Sequence, residues 1–318
     1  MRYVVYGAGA VGGVVGSRLH LAGSPVTLVA RGEHLAAIRA RGLTLDAGDG
    51  RHRIDAPATD TAADIGWTDD TVVLLAVKSH QAMVALADLR AHAPAGVPVV
   101  CVTNGIATEV AALRLFARTY AVCVMLPASH LEPGVVVASC HPTPAILDIG
   151  RFPDGTDSVS AAVAADLRAA TIESVERVDI MSMKRRKLLT NLGNGVDASF
   201  ARGEAADELA ARAQAEGEEV LAAAGVSLMT AEEDRERRGS ILQRRPGLER
   251  RGGSTWQSLT RGTGDSEIDY LGGEIVLQGR LLGVPTPVNE AVVAATRALA
   301  YAGGPTRSLD AAEVLARL

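Results

Sequence analysis

Lysine and asparagine are nearly missing from this 318-residue chain. Of its 32 basic residues only Lys78, Lys184 and Lys187 are lysine, and the asparagines are Asn104, Asn191, Asn194 and Asn289. Aromatic residues make up 3% of the sequence, and its three cysteines (Cys101, Cys123, Cys140) show no C-x-x-C spacing. An odd, scattered set of thiols suggests neither a disulfide framework nor a zinc site, and fits a reducing compartment. The longest apolar runs, such as 71–77, are strand-sized, far short of a membrane span. A formal charge of -5 argues against a nucleic-acid partner. One stretch, Arg235 to Arg251, is dense in arginine, but its interleaved glutamates read as a solvated helix-and-loop face, with a phosphate-binding patch as the alternative.

What is present is an alternation of strands and helices. The chain opens with an apolar strand at 2–6, and a glycine motif begins at residue 7. That leaves no room for a signal peptide, so a cytoplasmic location is expected. Strands are predicted at 25–30, 71–77, 99–103, 120–126, 134–139, 145–150 and 172–178, and 43–46 and 51–56 flank a Gly-Asp-Gly turn as a hairpin. Helices fall between them at about 81–92, 108–118 and 158–170. Such alternation implies a mainly parallel open sheet. Helical periodicity then takes over at 181–199, 204–224, 265–282, 287–302 and 310–318, with Thr286-Pro287 as N-cap and first helical residue. The expected fold is therefore α/β, with an N-terminal Rossmann-type dinucleotide-binding domain (1–178) and an all-helical C-terminal domain (179–318).

Gly7-Ala8-Gly9-Ala10-Val11-Gly12 is a G-x-G-x-x-G sequence between a strand and a helix, with a second strand at the right distance. In that context it predicts a loop whose glycines let backbone approach a pyrophosphate at a helix N-terminus. The second strand ends in Ala30-Arg31, where an NAD site would carry an acidic residue. A guanidinium there can pair with a 2'-phosphate and stack on adenine, so NADP(H) is the expected cofactor, with Lys78 past the 71–77 strand as a second cation. Asn104-Gly105, after the 99–103 strand, is either a ligand-binding edge or only a turn.

Rarity makes the remaining polar residues informative. Lys can release a proton near neutral pH where Arg cannot, so a lysine kept in an arginine-biased chain points to chemistry. Lys187, Asn191 and Asn194 share one helix face beside Leu188, Leu189 and Leu192, as a pocket wall or a solvent face, and asparagine's scarcity favours the pocket. Glu267 joins a pocket or is simply exposed.

Taken in order, Lys78, Asn104-Gly105, Lys187-Leu188-Leu189-Thr190-Asn191, and Ser254 followed by Glu267-Ile268-Asp269-Tyr270-Leu271 resemble the ketopantoate reductases (2-dehydropantoate 2-reductases) across essentially the whole chain. The resemblance implies NADPH-dependent reduction of ketopantoate to pantoate in pantothenate biosynthesis. It places Gly7 to Gly12 at the pyrophosphate, Arg31 and Lys78 at the 2'-phosphate, and Asn104 beside nicotinamide and substrate. Lys187 becomes the proton donor, Asn191, Asn194 and Ser254 substrate-binding residues, and Glu267 a cofactor-contacting glutamate that organises the lysine. The expected partner is a small 2-oxo acid, without nucleic acid or membrane, and a homodimer is allowed. Departures fall at Gly195 and Arg202, where the family pattern has asparagines, and at Gly272 in place of the asparagine of Tyr-Leu-Asn-Gly. Gly195 would make room for a larger acid and Arg202 would hold a second acidic group. Those changes keep open a different 2-oxo acid or carbonyl substrate. A non-catalytic NADP(H) sensor is the alternative of another class, opposed by retention of Lys187 and Glu267.

Overall fold

The computed structural model describes residues 1–248, 252–260, 262 and 266–318. The chain divides into two compact units: residues 1–104, 108–183 and 231–248 form the first, and 105–107, 184–230 and 249–318 the second.

In the first unit, β1 (Arg2–Tyr6), α1 (Ala10–Leu21), β2 (Val26–Val29) and α2 (Gly32–Arg41) open the fold. The hairpin β3 (Leu43–Ala47) and β4 (Gly50–Ile54) follows, then β5 (Ala58–Thr59), β6 (Thr71–Leu75), α3 (Ala82–His92), β7 (Val99–Cys101) and α4 (Ala107–Leu113). β8 (Thr119–Met125), β9 (Ala128–Ser129), β10 (Val135–Ala138), β11 (Ile146–Arg151) and α5 (Ser158–Ala169) complete the α/β run. The main sheet has the order β11-β8-β7-β6-β1-β2-β5. Pairs from β8 through β5 are parallel, and only β11 is antiparallel. Strand order reverses at β1, which lies between β2 and β6, and crevices at such reversals are where ligands bind in open α/β sheets.

β6 reads Thr-Val-Val-Leu-Leu and is buried at every position, as a central strand covered on both faces must be. β1 shows the two faces separately. Tyr3 and Val5 enter one apolar core, and Val4 and Tyr6 the other. A second, smaller sheet runs β4-β3-β10-β9. In it β10 pairs parallel with β3, an arrangement that hairpin spacing alone did not predict.

The expected strand at 172–178 is reduced to isolated bridges, Glu173 to Ile146 and Glu176 to Ile149. Helix α4 stops at Leu113 rather than reaching 118, ahead of the buried Phe116. The arginine-rich stretch is not merely solvated. Helix α8 (Ala231–Arg238) belongs to the first unit, and Arg237 clamps the fully buried Asp148 through bonds of 2.6 and 2.8 Å. Arg245 donates to the Asp46 carboxylate and to the carbonyls of Asp46 and Ala138. Glu249, Arg250 and Arg251, the end of that stretch, lie outside the described residues.

The second unit is helical: α6 (Ile180–Ser199), which begins in the first unit, α7 (Glu204–Ala223), α9 (Ser254–Thr260), α10 (Gly272–Leu282), α11 (Pro287–Ala302) and α12 (Ala311–Leu315). Leu188, Leu189, Leu192, Leu209, Ile275 and Val292 anchor its core. The helix expected over 265–282 is a 3-10 turn (Ile268–Tyr270) followed by α10, with the break at Leu271, whose φ of -113° and ψ of -93° are not helical. Asp265 lies outside the described residues. Thr286 precedes α11 as expected, but its side chain caps nothing. Glu216 from α7 accepts the Val288 and Asn289 amides instead, at 2.8 and 2.9 Å.

Candidate functional site

At the carboxyl end of β1 the three motif glycines do different things. Gly7 has φ +108°, and a Cβ there would lie 2.7 Å from the Val77 nitrogen. The Gly7 and Ala8 amides both donate to the Val29 carbonyl, at 3.0 and 2.9 Å, so the turn is tied to β2. A Cβ on Gly12 would lie 2.1 Å from the Gly7 carbonyl oxygen, so bare backbone is what lets α1 approach the sheet. Of the three, Gly9 faces open space, with nothing within 4 Å of where a Cβ would stand. It precedes α1, whose N-terminus has no side-chain cap and no acid in its first turn. Unopposed amides behind a face without side chains make a cradle for an anionic group, and a pyrophosphate fits that donor set.

Around this cradle the same sheet edge carries the expected cations. Arg31 is exposed and directly follows Ala30, opening α2 in extended conformation. It flanks the Tyr6 hydroxyl at the end of β1. Burial pushes that hydroxyl up to about 12, the Asp88 carboxylate adds to the rise, and Arg31 opposes it. Lys78 is half-buried, at the start of the turn after β6. The Ser79 hydroxyl donates to the Asn104 carbonyl at 3.3 Å, joining that turn to the one after β7. Gly7 to Gly12, Arg31, Lys78 and Asn104 thus stand on one edge of one sheet.

His34 is a part of this site that sequence reading missed. Its Nδ1 accepts the Gly134 amide at 2.8 Å, which leaves Nε2 to carry the proton and donate to the Ala8 carbonyl at 2.7 Å. Burial pushes the ring below its ordinary pKa range, against the Ala8 carbonyl, which favours the proton. A histidine two residues inside a helix has no spacing signature, so no pattern could have singled it out.

In the second unit, α6 presents Lys187 and Asn194 half-buried and Asn191 buried. Lys184, a turn earlier, is buried too. A Cβ on Gly253 would lie 3.0 Å from the Asn194 carboxamide oxygen, so Asn194 packs against the residue preceding Ser254. Glu267 is 9% exposed and leads the 3-10 turn. Gly105, at φ +75°, passes so close to the Tyr270 carbonyl oxygen that a Cβ would lie 2.7 Å away. The glycine of the Asn104-Gly105 pair is thus demanded both by its left-handed backbone and by a neighbouring carbonyl.

The departures from the family pattern are resolved differently from the sequence expectation. Gly195 does not open space for a larger acid. Ile268, Val292 and Thr296 already fill it, at 2.8 to 3.3 Å from where a Cβ would stand. Arg202 is largely exposed and pairs with Asp197 at 3.2 Å, so its charge is already engaged. Gly272 packs against Val293 and Asn289. Asn289, for its part, is structural: its amide donates to the Ala213 carbonyl and to Glu216, both at 2.9 Å.

Among the described residues no helix is long and apolar enough to cross a membrane. Comparison with known proteins covers both units. The profile of the ketopantoate reductase PanE/ApbA family matches residues 3–154, and that of its C-terminal domain matches 179–300. The chain is 26% identical to a 2-dehydropantoate 2-reductase of Pyrococcus horikoshii, covering 96% of this chain and 100% of that one. A 2-dehydropantoate 2-reductase of Halobacterium salinarum is 29% identical, over 91% and 95%. Among solved structures, a PanE/ApbA family ketopantoate reductase of Ralstonia eutropha superposes with a TM-score of 0.80 at 27% identity, over 95% and 99%. The fold is shared with a D-mandelate dehydrogenase solved with NADH and anilino(oxo)acetate, at a TM-score of 0.81 and 23% identity over 95% and 99%. With both halves of the fold matched in order, the chain belongs to the ketopantoate reductase family.

Proposed function

We propose that the protein is an NADPH-dependent reductase of a 2-oxo acid, with ketopantoate as the first candidate substrate. The observation that carries this is the α6 face: Lys187 stands half-buried in line with Asn191 and Asn194, and Asn194 packs against the segment of Ser254. The Gly9 cradle would hold the pyrophosphate, and Arg31 and Lys78 the 2'-phosphate. A bound nicotinamide would supply hydride to the carbonyl carbon.

Lys187 donates the proton that the carbonyl oxygen needs as negative charge develops on it. A cationic acid at hydrogen-bond distance both stabilises that charge and quenches it. Asn191, Asn194 and Ser254 hold the substrate, Ser254 at its carboxylate, which fixes the carbonyl face and lowers the entropic part of the barrier. Glu267 orients the ammonium, and Asn104 borders nicotinamide and substrate.

A second reading, reduction of a different 2-oxo acid by the same machinery, is favoured by the departures from the family pattern at Gly195, Arg202 and Gly272. A screen of NADPH oxidation over 2-oxo acids, ketopantoate and phenylglyoxylate among them, tests both. Highest kcat/KM on ketopantoate supports the first reading, and preference for another acid selects the second. No oxidation with any acid overturns both.

A further inference from the structure

Arg307 is one of two non-glycine residues among those described with a left-handed backbone, at φ 59°. Such a conformation is uncommon for arginine and persists where its surroundings over-determine it. Here they do. Its Nε donates to the Asp197 carbonyl at 3.0 Å, and its terminal nitrogen reaches both Asp197 carboxylate oxygens at 3.0 and 3.2 Å. Its amide donates to the Ala198 carbonyl at 2.9 Å, so main chain and side chain grip the same end of α6. The guanidinium also lies over the Trp256 ring, 5.6 Å from its centroid.

Trp256 and Asp197 both lead to the substrate segment. The indole lies over Gly252, where a Cβ would be 2.3 Å from its Cγ. Asp197 receives the Gly253 amide at 3.5 Å, and Asn194, one turn earlier on α6, packs on the same glycine. Arg202 donates to Asp197 as well. We infer that Asp197 and Arg307 are positioning residues for substrate binding, a latch that fixes the 252–256 segment and so aims Ser254 at the acid's carboxylate, an inference that rests on the reductase function proposed above.

Burial alone would raise the Asp197 carboxyl, but the two arginines and the Gly253 amide hold it below the usual carboxylate range, so the latch is ionised at neutral pH. Arg202 stands where the family pattern has a pocket asparagine, so in this chain a residue expected to touch substrate is replaced by one that reinforces the latch.

The test compares wild type with Asp197→Asn, Arg307→Gln, Arg307→Lys and Ser254→Ala in the full-length protein. Readouts are steady-state reduction of the best acid from the screen, NADPH affinity, and binding of oxamate, a 2-oxo acid mimic that accepts no hydride. Oxamate binding is followed by Trp256 emission in a Trp67→Phe background, which leaves a single tryptophan. Asp197→Asn and Arg307→Gln are expected to raise KM and the oxamate Kd about tenfold or more, with kcat within about twofold and NADPH affinity unchanged. Arg307→Lys should fall between, because it keeps the charge but not the fork. Should either strong variant misfold, the lysine variant still decides. Unchanged KM and oxamate Kd in the latch variants, with a raised KM in Ser254→Ala, overturn the latch alone. If Ser254→Ala also binds acid normally, the substrate role of Ser254 falls first. Loss of melting temperature and kcat without a KM change would reduce Asp197 and Arg307 to a structural staple.

Discussion

His34 and Ala8 are joined by a 2.7 Å hydrogen bond that runs from an imidazole on α2 to a carbonyl inside the glycine motif. The opposite ring nitrogen is already an acceptor for Gly134, so the histidine works only as a neutral ring. Its folded-state pKa lies below the ordinary 6.5, from burial first. The unfolded chain therefore takes up this proton before the folded one does. The stabilisation is complete above about pH 6.5 and is lost as pH falls from there through the folded-state value. The ring facing His34 is His130, centroids 4.1 Å apart and tilted by 49°. His34→Gln keeps a donor near the Nε2 position and cannot titrate. Thermal melts of both proteins between pH 7.5 and 5.5 should show a larger loss in wild type, and parallel curves would show that His34 contributes none of it.

Gly9 and Gly12 are predicted to fail differently. A Cβ at Gly9 meets no protein atom, so Gly9→Ala should melt like wild type while NADPH affinity drops about tenfold or more, the methyl having entered the anion's space. A Cβ at Gly12 meets the Gly7 carbonyl oxygen at 2.1 Å and the Val5 and Ala76 side chains at 2.9 Å. Gly12→Ala should therefore cost about 1–3 kcal/mol of stability, typical of overpacking, before any effect on binding. Equal melting temperatures for the two variants would contradict this division.

Much of this was legible in the sequence because two kinds of signal are local. The apolar run of β6 and the glycine spacing after β1 state their environment within a few residues, and scarcity flagged Lys187, Asn191 and Asn194 without any fold. What escaped was set by distant partners. The arginine-rich stretch looked solvated because the residue that makes Arg237 structural is Asp148, 89 positions away. Gly195 read as vacant because the side chains that fill it, from 268, 292 and 296, are remote in sequence. Asn289 is as scarce as Asn191 and Asn194, yet its amide is spent on Ala213 and Glu216 of α7. Rarity marks a residue as constrained without saying by what.

Arg31 should govern the choice between the two nicotinamide dinucleotides. The end of β2 offers no carboxylate to a ribose hydroxyl, and the exposed guanidinium is available to a 2'-phosphate. Charge-assisted hydrogen bonds of this kind contribute about 1.5–3 kcal/mol. Arg31→Ala is expected to weaken NADPH binding roughly 10- to 100-fold and NADH binding by less than about threefold. Fluorescence titration of both cofactors measures the ratio, and a preserved preference would shift the assignment to Lys78.

Asp148 offers a test of stability remote from any ligand. It is fully buried and is met by Arg237 at 2.6 and 2.8 Å and by Arg177 at 3.1 Å. Removing one cation from a buried pair strands the carboxylate, a loss of about 3–5 kcal/mol, and the remaining Arg177 should keep Arg237→Ala near about 3 kcal/mol. Because Arg237 lies on α8, the variant should also loosen the 231–248 return to the first unit, seen as faster amide exchange there. A neutral effect in chemical denaturation would show that Arg177 suffices for Asp148 and that Arg245 and the backbone bonds of 243–245 hold the segment.

Lys187 carries the enzymatic proposal and admits the sharpest substitution. Lys187→Ala should lower kcat by about 10²–10⁴, the usual contribution of a general acid, with NADPH affinity within about twofold of wild type. That result alone leaves open whether charge or proton is lost. Lys187→Arg separates them, since arginine preserves a cation near the carbonyl oxygen but holds its proton too firmly to transfer it at neutral pH. Turnover should therefore stay low in Lys187→Arg and should recover partially in Lys187→Ala when a small primary amine is added. Wild-type rates in the arginine variant would reduce Lys187 to an electrostatic role and leave the proton donor to be sought elsewhere.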